Sequence, residues 1–119
     1  MIRVAVFDPE RDLQTLVATV LRFIPSCDVV VQSGNLQLVE DTLASTTIDV
    51  LYIGIEPKLM GLEQIVKLRE ACPNLGIVLC SNFYSSEQII EAGADIHLRM
   101  PVSPEIIVNA VQSAYTKHE

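Results

Sequence analysis

The sequence predicts an α/β domain: a doubly wound parallel sheet of five strands with helices on both faces. Three observations lead there. Short β-branched runs alternate with longer stretches of helical period. The run at 49–54 is apolar without polar alternation, as a strand covered on both faces requires. Successive strand candidates are separated by helical segments, which imposes parallel pairing with right-handed crossovers. With 119 residues, 50% of them hydrophobic and 19% charged, the chain reads as one domain over 1–119 with a core of its own.

Ile2-Arg3-Val4-Ala5-Val6-Phe7 is the first strand, stopped by Asp8-Pro9. Leu13, Leu16, Val17, Val20, Leu21 and Ile24 then form one apolar helical stripe, and Pro25 ends it. A second strand spans 28–31 and closes at Ser33-Gly34-Asn35, after which Leu36, Val39 and Leu43 mark a short helix. The third strand, 49–54, belongs mid-sheet. Beyond the turn at Glu56-Pro57-Lys58, Leu62, Ile65, Val66 and Leu68 predict a third helix that stops before Pro73-Asn74. The fourth strand covers 76–80. A short helix over 86–92 ends at Gly93, and the fifth strand covers 95–99. The last helix starts at Ser103-Pro104-Glu105, where Ser suits the N-cap and Pro the first helical turn.

Composition removes several function classes. Eight Lys+Arg against 15 Asp+Glu give a net charge of −7 with no basic run, so neither nucleic acid nor an anionic membrane is an expected partner of this domain. Cys27, Cys72 and Cys80 are widely spaced and joined by only two histidines, which suggests no disulfide framework and no zinc site. The N-terminal apolar run is too short for a signal peptide or a membrane span, so the cytoplasm is the expected compartment. The turn Phe7-Asp8-Pro9-Glu10 has none of the glycines a dinucleotide loop needs, and no nucleotide or flavin phosphate loop occurs elsewhere. No cofactor is expected. In a doubly wound sheet the functional site lies at the carboxyl ends of the strands, which directs attention to Asp8, Gly54, Cys80 and Met100-Pro101.

Two phrases carry a family resemblance. Glu91-Ala92-Gly93-Ala94-Asp95-Ile96-His97-Leu98-Arg99-Met100-Pro101-Val102-Ser103-Pro104-Glu105 is one, and Asp49-Val50-Leu51-Tyr52-Ile53 followed by Pro57 and Gly61-Leu62-Glu63 is the other. Together with the order of elements they resemble the receiver domain of two-component response regulators along essentially the whole chain. The resemblance implies a flavodoxin-like sheet with strand order 2-1-3-4-5. It also implies phosphoryl transfer to a strand-3 aspartate. In that chemistry two acidic residues after strand 1 join the acceptor in holding Mg²⁺, and a strand-4 hydroxyl and a lysine engage the new phosphate.

Transferred residue by residue, that pattern breaks. The acidic pair becomes Phe7-Asp8, and the acceptor falls on Gly54, or on Ile53 when counted back from Pro57. The hydroxyl position is Cys80, with Ser81 adjacent, the lysine is Met100, and the aromatic switch position is His97. These substitutions imply a pseudo-receiver: no catalytic residues, no metal and no enzyme activity, with Asp8, Gly54, Cys80 and Met100 forming a vestigial pocket. Each residue also has a plainer reading. Asp8 caps the turn into the first helix, Glu56 is solvated rather than a phosphate mimic, and Cys80 is a packed thiol rather than a sensor. His97 is a strand-end residue rather than a pH sensor, and Met100 fills a dry pocket.

The remaining functional candidate is a surface. On the last helix Ile107, Ala110, Val111 and Ala114 face the sheet, whereas Val108 and Tyr115 project outward with Gln112 between them and Val111 at the border. Val108, Val111, Gln112 and Tyr115 are therefore the expected interface, for a protein partner or a homodimer. By the resemblance, this face comprises the fourth helix, fifth strand and fifth helix. The expected function is phosphorylation-independent signalling through protein contacts, with the domain leading a longer protein whose output is a DNA-binding domain or an ATPase. Two alternatives stand beside it: a phosphoacceptor using an atypical residue such as Asp8, and a small-molecule sensor in the vestigial pocket.

Overall fold

The computed structural model describes residues 1–55 and 61–119. Five strands alternate with five helices: β1 (Ile2–Phe7), α1 (Arg11–Arg22), β2 (Cys27–Ser33), α2 (Leu36–Ser45), β3 (Val50–Gly54), α3 (Leu62–Ala71), β4 (Gly76–Cys80), α4 (Ser86–Ala92), β5 (Ile96–Leu98) and α5 (Pro104–Lys117). All neighbouring strands pair in parallel, in the order β2-β1-β3-β4-β5. The Glu56 position lies outside the described residues.

Strand alternation divides the core in two. Val4, Val6, Val50, Tyr52, Val78 and Cys80 point to one face, where α1 and α5 cover them with Val17, Leu21, Ile107 and Val111. Ala5, Phe7, Leu51, Ile53, Ile77 and Leu79 point to the other, against Val39, Ile65, Leu68 and Ile89 of α2, α3 and α4. Both faces of β1, β3 and β4 are therefore dry, which is why these strands read as continuous apolar runs.

Four element boundaries differ from the sequence expectation, the smallest being β3, which starts at Val50 rather than 49. β2 runs from Cys27 to Ser33 rather than 28–31, because its flanking residues pair with Ile2, Val6 and Phe7 of β1, a nonlocal partnership. β5 is confined to Ile96–Leu98. α1 ends at Arg22, leaving Ile24 beyond the helix, with its N–H donating to the Leu21 carbonyl. Leu16 and Val66, both assigned to apolar stripes, are exposed.

Caps secure the helices at the functional end. Asn35 and Ser103 accept from the N–H groups of Leu38 and Ile106, and Ser85 with Gln88 forms a reciprocal capping box. Gly93 ends α4 at φ +122°, a left-handed conformation that favours glycine, and a Cβ there would lie 2.8 Å from Arg69 Cβ.

Candidate functional site: the cleft at the strand ends

β1, β3 and β4 end side by side, with Phe7 paired to Ile53 and Gly54 to Cys80. Gly54, Cys80 and Asp8 continue the even-numbered face of their strands, so the topology delivers them to one place. There they line a cleft of about 180 Å³ together with Pro9, Glu10, Leu13, Ile55, Ser81, Asn82 and Met100. All four vestigial-pocket residues, Asp8, Gly54, Cys80 and Met100, therefore meet. Glu10, Leu13 and Asn82 were not foreseen, although each lies in or just after a turn that leaves a strand end.

Asp8 is 8% exposed and dominates the cleft. Its Oδ1 accepts from the Glu10 N–H at 2.8 Å, closing the turn into α1, while its own N–H donates to the Ser33 carbonyl. Its other carboxylate oxygen stands over Gly54. A Cβ built on Gly54 would collide with Asp8 Oδ2 and lie 2.8 Å from Asp8 Cγ. The volume in which a β3 acceptor side chain would begin is thus filled by the β1 carboxylate.

Beneath the cleft the Tyr52 phenol and the Cys80 thiol interact. Burial pushes the Tyr52 hydroxyl well above its ordinary 10.0, with Cys80 and Asp8 adding to the effect. Burial likewise raises Cys80 above 9.0; Tyr52 partly opposes that shift and Asp8 adds to it. Cys80 is therefore held as a thiol, a poor nucleophile. Tyr52 did not figure among the sequence candidates. Its signal was a large polar aromatic in an otherwise aliphatic strand, two residues before Gly54 and on the same face.

His97 is fastened at both ring nitrogens. Nε2 lies 2.8 Å from the Ser81 carbonyl, which can only accept, so Nε2 carries hydrogen. Nδ1 lies 2.7 Å from Ser86 Oγ, within hydrogen-bond distance. One side chain on β5 thereby ties both ends of the loop between β4 and α4. Ser81 Oγ accepts from the Phe83 N–H, and Asn82 Oδ1 accepts from the Met100 N–H, linking that loop to the turn after β5.

Mg²⁺ is the ion that the receiver resemblance implies. It takes hard oxygen ligands in near-octahedral geometry. Asp8 and Glu10 are the cleft's carboxylates among the described residues, Asp8 already serves the turn, and Gly54 offers no side-chain oxygen. Among the described residues no group of three His, Cys, Asp or Glu side chains could hold a metal ion. The described residues do not fit that ion.

One member of the expected interface, Val111, needs correction. Val111 is 0% exposed and belongs to the core under α5. Val108 lines a groove between α5 and α1. Tyr115 lies by Met1, Ile2 and Ser26 at the opposite end of the sheet, next to exposed Gln112. Helical spacing separates inward from outward positions, but which neighbour an outward residue meets depends on where α5 sits over the sheet, and it sits beside α1. Ile90 on α4 and Ile106 on α5 are exposed apolar side chains.

No family model and no curated protein matches the chain. Solved structures do. The beryllofluoride-activated NtrC4 receiver domain dimer is 20% identical, with full coverage of both chains and a TM-score of 0.84. A CheY-like response regulator receiver domain protein from Methanospirillum hungatei JF-1 is 16% identical over 99% of this chain and 96% of its own, with a TM-score of 0.84. A putative pilus assembly-related protein from Burkholderia pseudomallei K96243 is 23% identical over 100% and 92%, with a TM-score of 0.80. The fold is the CheY-like receiver fold, and these structural neighbours are response-regulator receivers together with the pilus-related protein. Among the described residues no helix is long and apolar enough to cross a membrane.

Proposed function

We propose that the chain is a pseudo-receiver: a cytoplasmic signalling domain that regulates an output module or partner through protein contacts, without being phosphorylated and without enzymatic activity. The observation carrying this reading is the Asp8 carboxylate standing over Gly54. A receiver phosphorylates a carboxylate at that point of β3; here the position has no side chain, and its space belongs to a neighbour. Met100 in place of the lysine and Cys80 in place of the hydroxyl leave a phosphoryl group without its usual partners. The beryllofluoride-activated dimer among the structural neighbours supports self-association as one form of contact.

The cleft favours neither alternative. Its volume of about 180 Å³ falls below the roughly 300–1,000 Å³ of small-molecule sites. Asp8 is buried and engaged in its turn, so it is badly presented as a phosphoacceptor.

Amide NMR spectra with and without Mg²⁺ and beryllofluoride, and with acetyl phosphate, test the reading. Unchanged resonances at Asp8, Gly54 and Ser81 are expected. Saturable shifts centred there would sink it.

A further inference from the structure

We infer that β5 and the turn after it strap the loop between β4 and α4 to the sheet, a lock that holds the start of α4 in one position whatever happens in the cleft. The inference deepens the pseudo-receiver reading, on which it rests, by saying how the domain is kept in a single state. Every residue from His97 to Met100 reaches this loop. The Leu98 carbonyl accepts from the Ser81 N–H, and His97 spans from the Ser81 carbonyl to Oγ of Ser86, the first residue of α4. Arg99 donates through Nη1 to the Asn82 carbonyl at 3.4 Å and through Nη2 to the Tyr84 carbonyl at 3.2 Å. The Met100 N–H donates to Asn82 Oδ1 at 2.8 Å. Within the loop, the Phe83 N–H donates to Ser81 Oγ and the Ser85 N–H to Gln88 Oε1.

Connecting loops move when their backbone polar groups are left to water. Here the carbonyls of Ser81, Asn82 and Tyr84 are taken by side chains of β5 and the turn that follows it. α4 has seven residues, too few to stand as a helix by itself, so its anchors set its position. Ile89 holds it in the core, and the capping box and His97 hold its N-terminal end. The imidazole is a short, stiff link, so bridging the two ends of the loop freezes little side-chain entropy. Ser81, Asn82 and Met100 line the cleft, whereas His97 and Arg99 are not part of its wall. The strap therefore lies between the cleft and α4. Coupling across that distance needs an element with two arrangements, and the strap leaves the loop one.

Amide hydrogen exchange and relaxation dispersion on the chain test the inference, with circular dichroism confirming the fold of each variant. The Ser81, Phe83, Ser85 and Met100 amides of the wild type are expected to be protected and free of microsecond-to-millisecond exchange. His97→Ala should speed hydrogen exchange at Phe83 and Ser85 at least about ten-fold. Ser86→Ala, which cuts the helix-side bond alone, should act more weakly in the same direction. Asn35→Ala, which removes the cap of α2, should leave these amides unchanged. Met100→Lys puts a charge into the cleft: its amide shifts should stop short of 86–92 when His97 is present and reach them in the His97→Ala background. Unprotected loop amides in the wild type, His97→Ala rates equal to wild type, or Met100→Lys shifts that reach 86–92 with His97 in place would each overturn the strap. Adding Mg²⁺ and beryllofluoride separates the two readings. Saturable shifts at Asp8 and Gly54 would defeat the pseudo-receiver reading, whereas the His97→Ala result decides the strap in either case.

Discussion

At position 54 the absence of a side chain is a packing requirement. Because Asp8 Oδ2 occupies the space where a Cβ would go, Gly54→Ala should cost about 1–3 kcal/mol as an overpacked site. Gly54→Asp should cost more, since it also sets a second carboxylate against a buried one. Asp8→Ala alone removes the acceptor for the Glu10 N–H and should cost about 1 kcal/mol. The Asp8→Ala/Gly54→Asp pair should therefore be more stable than the sum of its parts by at least ~1 kcal/mol in urea denaturation. Strict additivity would contradict the collision. Below the cleft, the raised Tyr52 and Cys80 groups, together with Cys27, whose thiol is raised chiefly by burial, have a stability consequence at alkaline pH. Each folded group holds its proton more tightly than the unfolded one, so the stabilisation is complete below the unfolded values of 9.0 and 10.0 and is lost as pH rises past them. The urea midpoint should be level to about pH 8 and decline beyond pH 9, and Tyr52→Phe should flatten the part above pH 10. A midpoint constant to pH 11 would refute this.

At the scale of elements, the end of the sheet opposite the cleft is gathered by one side chain. Arg69 on α3 donates through Nη1 to the carbonyls of Cys72, Pro73 and Leu75, through Nε to Gly93, and through Nη2 to Asp95 at 3.0 Å. Asp95 in turn accepts from the Ile77 N–H and meets His118 Nε2 at 2.9 Å, so α3, α4, β4, β5 and the end of α5 share one partly buried cluster. Arg69→Met keeps much of the stem's packing but orphans these carbonyls and the carboxylate. It should cost about 2–4 kcal/mol in urea denaturation and speed amide exchange first at 75–77 and 93–95. A loss below ~0.5 kcal/mol would show that water replaces the guanidinium without penalty. None of this was visible in the sequence, since the partners lie up to 26 residues apart and an arginine on a helix reads as solvated. By contrast β4 and α4 were legible to the residue, the first from its apolar run and the second from Gly93 at its end.

Across the whole molecule, the five alternating units and their parallel pairing follow from periodicity and from the punctuation of Pro and Gly. The strand order needed the family resemblance, and the structure bears it out. The gathering of Asp8, Gly54, Cys80 and Met100 follows from topology alone, because parallel strands deliver all their carboxyl ends to one edge. What fills the space there was not legible. A glycine in the acceptor position reads as a hole until a neighbouring carboxylate is seen standing in it. The surroundings of the interface candidates were hidden for a related reason: spacing along a helix gives direction relative to the sheet but not the identity of the flanking helix.

The collision over Gly54 also bears on engineering. A carboxylate grafted onto β3 at position 54 meets the Asp8 carboxylate, and moving that carboxylate aside opens the turn that Asp8 Oδ1 closes onto the Glu10 N–H. Any side chain at 54 is therefore a two-site design, in which the group at position 8 has to be re-aimed and its turn closed by another acceptor.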